Sequence, residues 1–377
     1  MHLGPLNGLR VIELEALGAA PFAGMLLADL GAEVISVTRQ SSSEGRLAEI
    51  SARNKKSIAL NLKRPEAVEV VLRLCATADV LIEGLRPGVA ERLGFGPEAC
   101  MARNPRLVYG RMTGWGQRGP LAQAAGHDIN YIALSGALHA IGRAGQRPVP
   151  PLNLVGDFGG GGMLLAFGIM CAVFEARQSR AGQVVDAAML DGSAALMHLM
   201  HSLKAKGEWI DERESNILDG AAHFYDTYET ADGNYIAIGS IEPQFYSLLL
   251  RLTGSDPKEF IHQRDKAHWP ALKRRLAEVF LSRTRDEWIK AMEGTDVCFA
   301  PVLSMEEAPR HPHNQARGTF IDVGGVTQAA PAPRFSRTPA ATPKAPQPAG
   351  SDTQAVLEAV GYGPADIERL RNAGALP

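Results

Sequence analysis

The sequence is poor in aromatic residues and in cysteine, and it has almost no net charge. Phe, Trp and Tyr make up 6% of its 377 residues, so the 45% hydrophobic content is mostly aliphatic and alanine. That balance fits a chain with a sizeable packed core and excludes a disordered tail or an aromatic-rich binding module. Lysine and arginine number 39 against 41 aspartates and glutamates, a net charge of -2. No broad cationic face follows, which argues against nucleic acid as a partner. The four cysteines, Cys75, Cys100, Cys171 and Cys298, are far apart in sequence and none forms a C-x-x-C pair. Neither a structural zinc site nor a disulfide framework is expected, no metal is called for, and a reducing, cytoplasmic compartment fits. Residues 1–5 show no basic region leading into an apolar run, so no signal peptide is expected. The longest apolar run, 163–174, is shorter than the ~20 residues of a bilayer span; it predicts a core helix and no membrane partner.

Turn residues are abundant. The 39 glycines and 24 prolines exceed the average of roughly 12%. Strand-like runs at 9–14, 33–37, 57–62, 79–83 and 106–111 alternate with helical stretches at 65–78 and 88–93, and with a Gly/Ala-rich segment closed by Gly31. Such alternation predicts a parallel sheet covered on both faces. Helices are expected at 128–138, 158–177 and 191–206, with a strand at 183–187. Residues 207–220 are polar and aperiodic, as in a linker. The pattern then changes: 224–230 and 235–239 flank Asp232-Gly233-Asn234 as a hairpin, and helical stretches follow at 243–253, 269–282 and 285–293. The chain length suggests about two domains: a large domain at 1–206, a linker at 207–221, a small α+β domain at 222–310, a return linker at 311–350 with its Pro/Ala/Thr-rich part at 323–350, and a C-terminal segment at 351–377 carrying a last helix at 353–372.

Five features bear on candidate chemistry. Gly114-Trp115-Gly116-Gln117-Arg118-Gly119 fits G-x-G-x-x-G, but Pro120 follows and no acidic residue stands about 20 positions on, so nicotinamide binding is not expected. His127 stands where a loop becomes a helix, whose field favours a neutral imidazole; the alternative is a plain cap by Asp128. Asp157 precedes four glycines, 159–162, which would cost about 1 kcal/mol each in a helix. Either a ligand or close helix packing requires that bare backbone. Glu242 follows the second hairpin strand, at a helix start that suits any carboxylate. Arg39, Arg53, Lys55, Lys56, Lys63, Arg86 and Arg92 gather near strand ends, where open parallel sheets bind ligands, though each alone reads as solvated surface.

Several separated stretches together resemble the family III CoA-transferase superfamily and, within it, the α-methylacyl-CoA racemases. They are 4–11, 78–84, 86–89, 113–117, 126–131, 182–189, 225–229, 241–246 and 331–336, and the resemblance covers nearly the whole chain. It implies a Rossmann-like large domain with a parallel sheet, a smaller α+β domain, and an interlocked homodimer whose crossing linkers are 207–220 and 323–350. It implies an acyl-CoA substrate and no separate cofactor, CoA being part of the substrate. Asp157 matches the superfamily's aspartate, and His127 the histidine that marks the racemases. Glu242 matches a glutamate brought to that histidine by the partner chain. CoA contacts carry over to Arg39, to Leu60, Asn61, Leu62 and Lys63, to Gly84, Leu85 and Arg86, to Arg92, and to Gly126, Asp128, Ile129, Asn130 and Tyr131.

The implied reaction is epimerisation at C2 of a 2-methylacyl-CoA through an enolate, with His127 and Asp157 as two bases on opposite faces. Positioned proton transfer of that kind contributes about 10²–10⁴-fold. On this reading the glycines after Asp157 let the thioester lie against the backbone. The alternative is CoA transfer through an aspartyl anhydride at Asp157; a third reading is CoA binding without catalysis. Where racemases usually carry Gly-Gly-Ala-Pro, this chain has Gly220-Ala221-Ala222-His223, which puts substrate preference in question more than reaction type.

Overall fold

The computed structural model describes residues 4–39 and 49–377. The chain divides into two compact units: residues 1–135, 152–196 and 318–377 form the first, and 136–151 with 197–317 form the second.

The first unit is built on six parallel strands: β1 (Arg10–Leu14), β2 (Glu33–Thr38), β3 (Lys56–Ala59), β4 (Val80–Glu83), β5 (Val108–Thr113) and β6 (Val184–Ala188). Their spatial order is β3-β2-β1-β4-β5-β6. Alternate residues of each strand feed two cores. Ile12, Ile35 and Leu81 pack on one face; Val11, Val34 and Val80 pack on the other. Burial on both faces is why these strands read as continuous apolar runs rather than alternating ones. Val11 is paired with Val34 on one side and Val80 on the other. The order reverses between β1 and β4, the switch point where an open α/β sheet leaves a crevice at its carboxyl edge.

Helices Ala19–Asp29 and Leu164–Ser179 cover one face; Pro65–Cys75, Thr353–Ala359 and Pro364–Asn372 cover the other. The last two replace the single helix predicted over 353–372, because Gly361 takes a φ of 87° and turns the chain. Helix Pro97–Arg103 was not foreseen. Cys75 and Cys100, remote in sequence, meet in the core. The Cys100 hydrogen bond and then burial push the Cys75 thiol well above its ordinary value.

The helix predicted over 158–177 begins earlier. Its first part, Leu154–Met163, is π-helical and runs directly into α-helix Leu164–Ser179. The continuous 26-residue helix is long and apolar enough to cross a membrane by length and composition, whereas the apolar run alone predicted a shorter element. Leu165, Ile169, Ala172 and Val173 are buried against the sheet, so it serves this fold as a core helix.

The second unit centres on three antiparallel strands, β7 (Tyr225–Glu229), β8 (Tyr235–Gly239) and β9 (Phe299–Pro301), in that order. Helices Pro243–Thr253, Trp269–Phe280 and Arg285–Met292 pack on them through Leu249, Leu276, Phe280 and Trp288. Residues 207–220 are held in this unit: Glu214 meets Arg143 at 3.1 Å and Lys273 at 2.5 Å. The predicted helix 191–206 is two helices, Met189–Leu196 and His198–Ala205, which fall in different units. Likewise 128–138 is Asp128–Leu134 and then Ala137–Ala140, divided at Gly136 with φ 87°. The chain then rejoins the first unit through hairpin β10 (Phe320–Val323) and β11 (Val326–Ala329), inside the stretch read as extended.

Candidate active site

The loops leaving the carboxyl ends of β1 to β5 gather the residues singled out in the first unit. His127 is the residue before helix Asp128–Leu134, and its amide donates to Asn130 Oδ1 at 3.0 Å. Its side chain is exposed; Asp128, next in sequence, is buried. Asp128 Oδ1 accepts the backbone amide of Asp157 at 2.6 Å. The carboxylate next in sequence to His127 thus holds the backbone of Asp157. Among the described residues Asp128 Oδ2 is buried without a hydrogen-bond partner, an arrangement that costs about 1–3 kcal/mol unless a ligand or water completes it.

Asp157 lies in the π-helix, half-buried, with Oδ2 accepting Asn153 Nδ2 at 3.2 Å. Burial raises its carboxyl above the ordinary carboxylate range; the Asn153 bond opposes this, the Asp128 charge adds to it and His127 subtracts from it. A raised carboxyl is poised to carry a proton as well as to accept one. π-turns recur at functional sites because they reposition one residue relative to an α-helix. Across from it, Gly18 has a φ of 67°, and a Cβ there would lie 3.3 Å from Asp157 Oδ2.

The glycines after Asp157 have the packing cause left open above, not the thioester approach that the racemase reading gave them. A Cβ on Gly160 would lie 2.6 Å from Ser193 N, and on Gly162 2.7 Å from Ala19 O. On Gly161 it would stand 3.0 Å from both Gly156 O and Met189 Cγ. Neighbouring helices fill that space, so helix packing requires the bare backbone, not an approaching thioester. The first glycine of the G-x-G-x-x-G segment is required by packing too: a Cβ on Gly114 would lie 2.1 Å from the Tyr131 ring. The Tyr131 hydroxyl donates to Gly126 O, and Trp115 meets the Tyr131 ring edge-on at 4.8 Å.

The predicted CoA-contact residues share one edge of the sheet. Arg39 follows β2, Leu60–Lys63 follow β3, Gly84–Arg86 follow β4, and Arg92 is on helix Val89–Leu93. Not all are free to meet a ligand. Leu60 is core. Asn61 is tied to Ala375 O at 2.9 Å and Gly374 O at 3.1 Å. Gly84 leaves room for Ala16, whose Cβ would stand 2.9 Å from a side chain there. Lys63, Arg86 and Arg92 are exposed, as are Ile129 and Asn130. A cleft of about 340 Å³ opens at the ends of β1 and β2, lined by Glu15, Leu17, Ser36, Arg39, Ser51 and Lys55 among others. Two of the basic residues are structural. Lys55 is buried on Glu13 at 2.6 Å, and Arg53 on Asp29 at 2.5 Å. Lys56 pairs with Glu33 at 2.6 Å at the opposite, amino edge of the sheet. The sequence carried no sign of Asn153, since a short polar side chain in a loop is ordinary.

Glu242 belongs to the second unit, exposed, as the residue before helix Pro243–Thr253. The carbonyls just before it are held from a neighbouring loop. Gln263 Nε2 donates to Ser240 O at 3.3 Å and Ile241 O at 3.0 Å, and Arg264 donates to Ile241 O at 2.7 Å.

Comparison with known proteins agrees with this architecture. The chain is 47% identical over 369 residues to the α-methylacyl-CoA racemase of Mus musculus, covering 97% of this chain and 96% of that one. It is 43% identical over 371 residues to the α-methylacyl-CoA racemase of Homo sapiens, with the same coverage of 97% and 96%. A CaiB/BaiF family protein from Brucella suis superposes with a TM-score of 0.82 at 26% identity, over 95% of this chain and 99% of that one. The sequence matches the model of CoA-transferase family III over residues 6–353. This chain belongs to CoA-transferase family III.

Proposed function

We propose that the protein is an isomerase that interconverts the (R) and (S) forms of 2-methylacyl-CoA thioesters. One base takes the C2 proton, the electron pair passes to the thioester oxygen as an enolate, and the other base returns a proton to the opposite face. His127 and Asp157 are the two bases. The reaction moves one proton out and one in, so it calls for no cofactor beyond the CoA carried by the substrate. Exposed Arg39, Arg86 and Arg92 at the carboxyl edge supply charge for CoA phosphates. Backbone amides at the helix start beside Asp128 would donate to the enolate oxygen, a role in which one donor is typically worth about 3–4 kcal/mol.

The observation that carries the reading is the nearness of His127 to Asp157, whose amide is held by the carboxylate of the residue next to His127 and whose carboxyl lies within electrostatic reach of the imidazole, on a chain 47% identical to a racemase. Asp157 alone would serve the transferase reading equally; a second base beside it serves only proton transfer. Glu242 takes the role of orienting His127 from the partner subunit of a homodimer. The exposed apolar face of helix Leu164–Ser179, with Phe167 67% and Phe174 69% exposed, supports that assembly.

The test is deuterium wash-in at C2 of a 2-methylacyl-CoA in heavy water. Wild type is expected to label both epimers. His127→Ala and Asp157→Asn are each expected to lose turnover by about 10²-fold or more, the scale of a positioned acid or base. If His127→Ala keeps full activity, the two-base scheme is wrong. Hydroxylamine trapping of an acyl adduct on Asp157, with CoA passing to a free carboxylate, would establish the transferase chemistry instead.

A further inference from the structure

The loop between helices Pro243–Thr253 and Trp269–Phe280 carries His262, Asp265 and His268, spaced H-x-x-D-x-x-H. All three are exposed, and one donor atom from each lies within 4.8 Å of the others. The two imidazoles stack with centroids 4.1 Å apart and planes 15° from parallel. Asp265 Oδ2 is 2.9 Å from His268 Nδ1. Its Oδ1 accepts the Ala267 amide at 3.0 Å.

We infer that His262, Asp265 and His268 form a binding site for a divalent metal ion of the zinc class, with solvent completing the coordination. Two imidazole nitrogens and one carboxylate oxygen, with an open position, are a ligand set that Zn²⁺ and its transition-metal neighbours accept. Bonds of about 2.0–2.2 Å in a tetrahedron put ligands about 3.3–3.6 Å apart. The Asp265–His268 pair is already near that spacing, and exposed side chains close the rest by rotation. The backbone beneath them is set independently of the ligands. Asp265 N bonds His262 O at 3.2 Å, and His268 N bonds Asp265 O at 3.0 Å. Buried Trp269 anchors the loop by donating Nε1 to Gln263 O at 2.8 Å. The cations in the same stretch are turned to other work. Arg264 lies 5.6 Å from the Phe224 ring centroid and bonds Ile241 O, and Lys266 sits 5.8 Å from the Trp269 ring. Because Gln263 and Arg264 also hold the carbonyls before Glu242, a metal here stiffens the support of that residue.

The test uses the full-length, tag-free protein stripped with a chelator and dialysed. Zn²⁺ is titrated by calorimetry, and Co²⁺ by visible d–d absorption. One saturable site per chain at micromolar metal is expected, with the intense bands of low-coordinate Co²⁺. His262→Ala and His268→Ala are each expected to weaken binding by about tenfold or more, a loss that even an outer-shell partner can produce. Asp265→Asn is expected to act in the same direction. His311→Ala, in a separate pair with Glu293 at 2.7 Å, is the control and leaves binding unchanged. Zinc should raise the thermal midpoint of wild type and not that of the His262→Ala/His268→Ala double variant. No saturable binding at micromolar metal, or binding that survives the double variant, overturns the inference. Neither outcome touches the racemase reading.

Discussion

His223 is a polar residue in an apolar setting. It is fully buried, with Phe224, Tyr246 and Phe260 around its ring. Tyr246 donates its hydroxyl proton to Phe260 O at 3.0 Å, so His223 Nε2, 2.7 Å from the Tyr246 oxygen, is the donor. Nδ1 is then a buried acceptor without a partner among the described residues. Burial pushes the imidazole down from 6.5 to about 4. A depressed histidine makes the unfolded chain bind the proton first. Stability is therefore full above the unfolded value, falls as the pH drops below about 6.5, and levels off near 4. The full effect is on the order of 3 kcal/mol. Urea unfolding at about pH 7.5 and about pH 4.5 measures it. His223→Gln keeps a donor toward Tyr246 and loses the titration, so its stability should fall less over that interval. Equal slopes for the two proteins would refute the assignment. At sequence level His223 stood out only as a departure from Gly-Gly-Ala-Pro; its aromatic seat depends on residues brought in from later helices.

At the scale of elements, the π-helix and helix Met189–Leu196 meet backbone to backbone. A Cβ on Gly192 would lie 1.8 Å from Gly160 O, with no flexible side chain to yield. Gly192→Ala must push the two helices apart, an overpacking that costs about 1–3 kcal/mol or more. It should also lower turnover, because the helix displaced carries Asp157. Gly363→Ala is the comparison: its Cβ would meet its nearest neighbour, Asp366 Oδ2, at 3.5 Å, an ordinary contact, so it loses only the preference for glycine over alanine at a helix N-cap, about 1 kcal/mol or less. Calorimetric midpoints of the two variants decide it, and equal midpoints would refute the packing account. The strand–helix alternation was legible because parallel strands are unbroken apolar runs cut by Gly and Pro. The π-turns were not, since a glycine run hides any hydrophobic period. The bond from the Asp157 amide to Asp128 was not legible either, because it joins residues far apart in sequence. His127 and Asp157 were readable as a pair only through the family resemblance, and the cause of glycines 159–162 was misread because packing and ligand approach leave the same mark.

At the scale of the molecule, one face of helix Leu164–Ser179 is buried in the sheet and the other carries Phe167 and Phe174, in line with Met163 at the end of the π-helix, each more than half exposed. They span about 16 Å at 1.5 Å per residue. A contiguous apolar strip of that length is costly in water, and such patches mark interfaces. A second copy of the chain is the occupant that the proposed homodimer supplies. Multi-angle scattering should give twice the chain mass. If folding and association are linked, the thermal midpoint should rise with protein concentration by mass action. Phe167→Asp with Phe174→Asp places two charges where the dimer would bury them, at several kcal/mol each unless paired. The double variant should therefore dissociate or lose its concentration-dependent midpoint. Activity should fall with it if Glu242 has its proposed role of orienting the partner subunit's His127. A wild-type protein of single-chain mass with full activity would remove both the homodimer and the role given to Glu242. The two-base chemistry of His127 and Asp157 within one chain would stand.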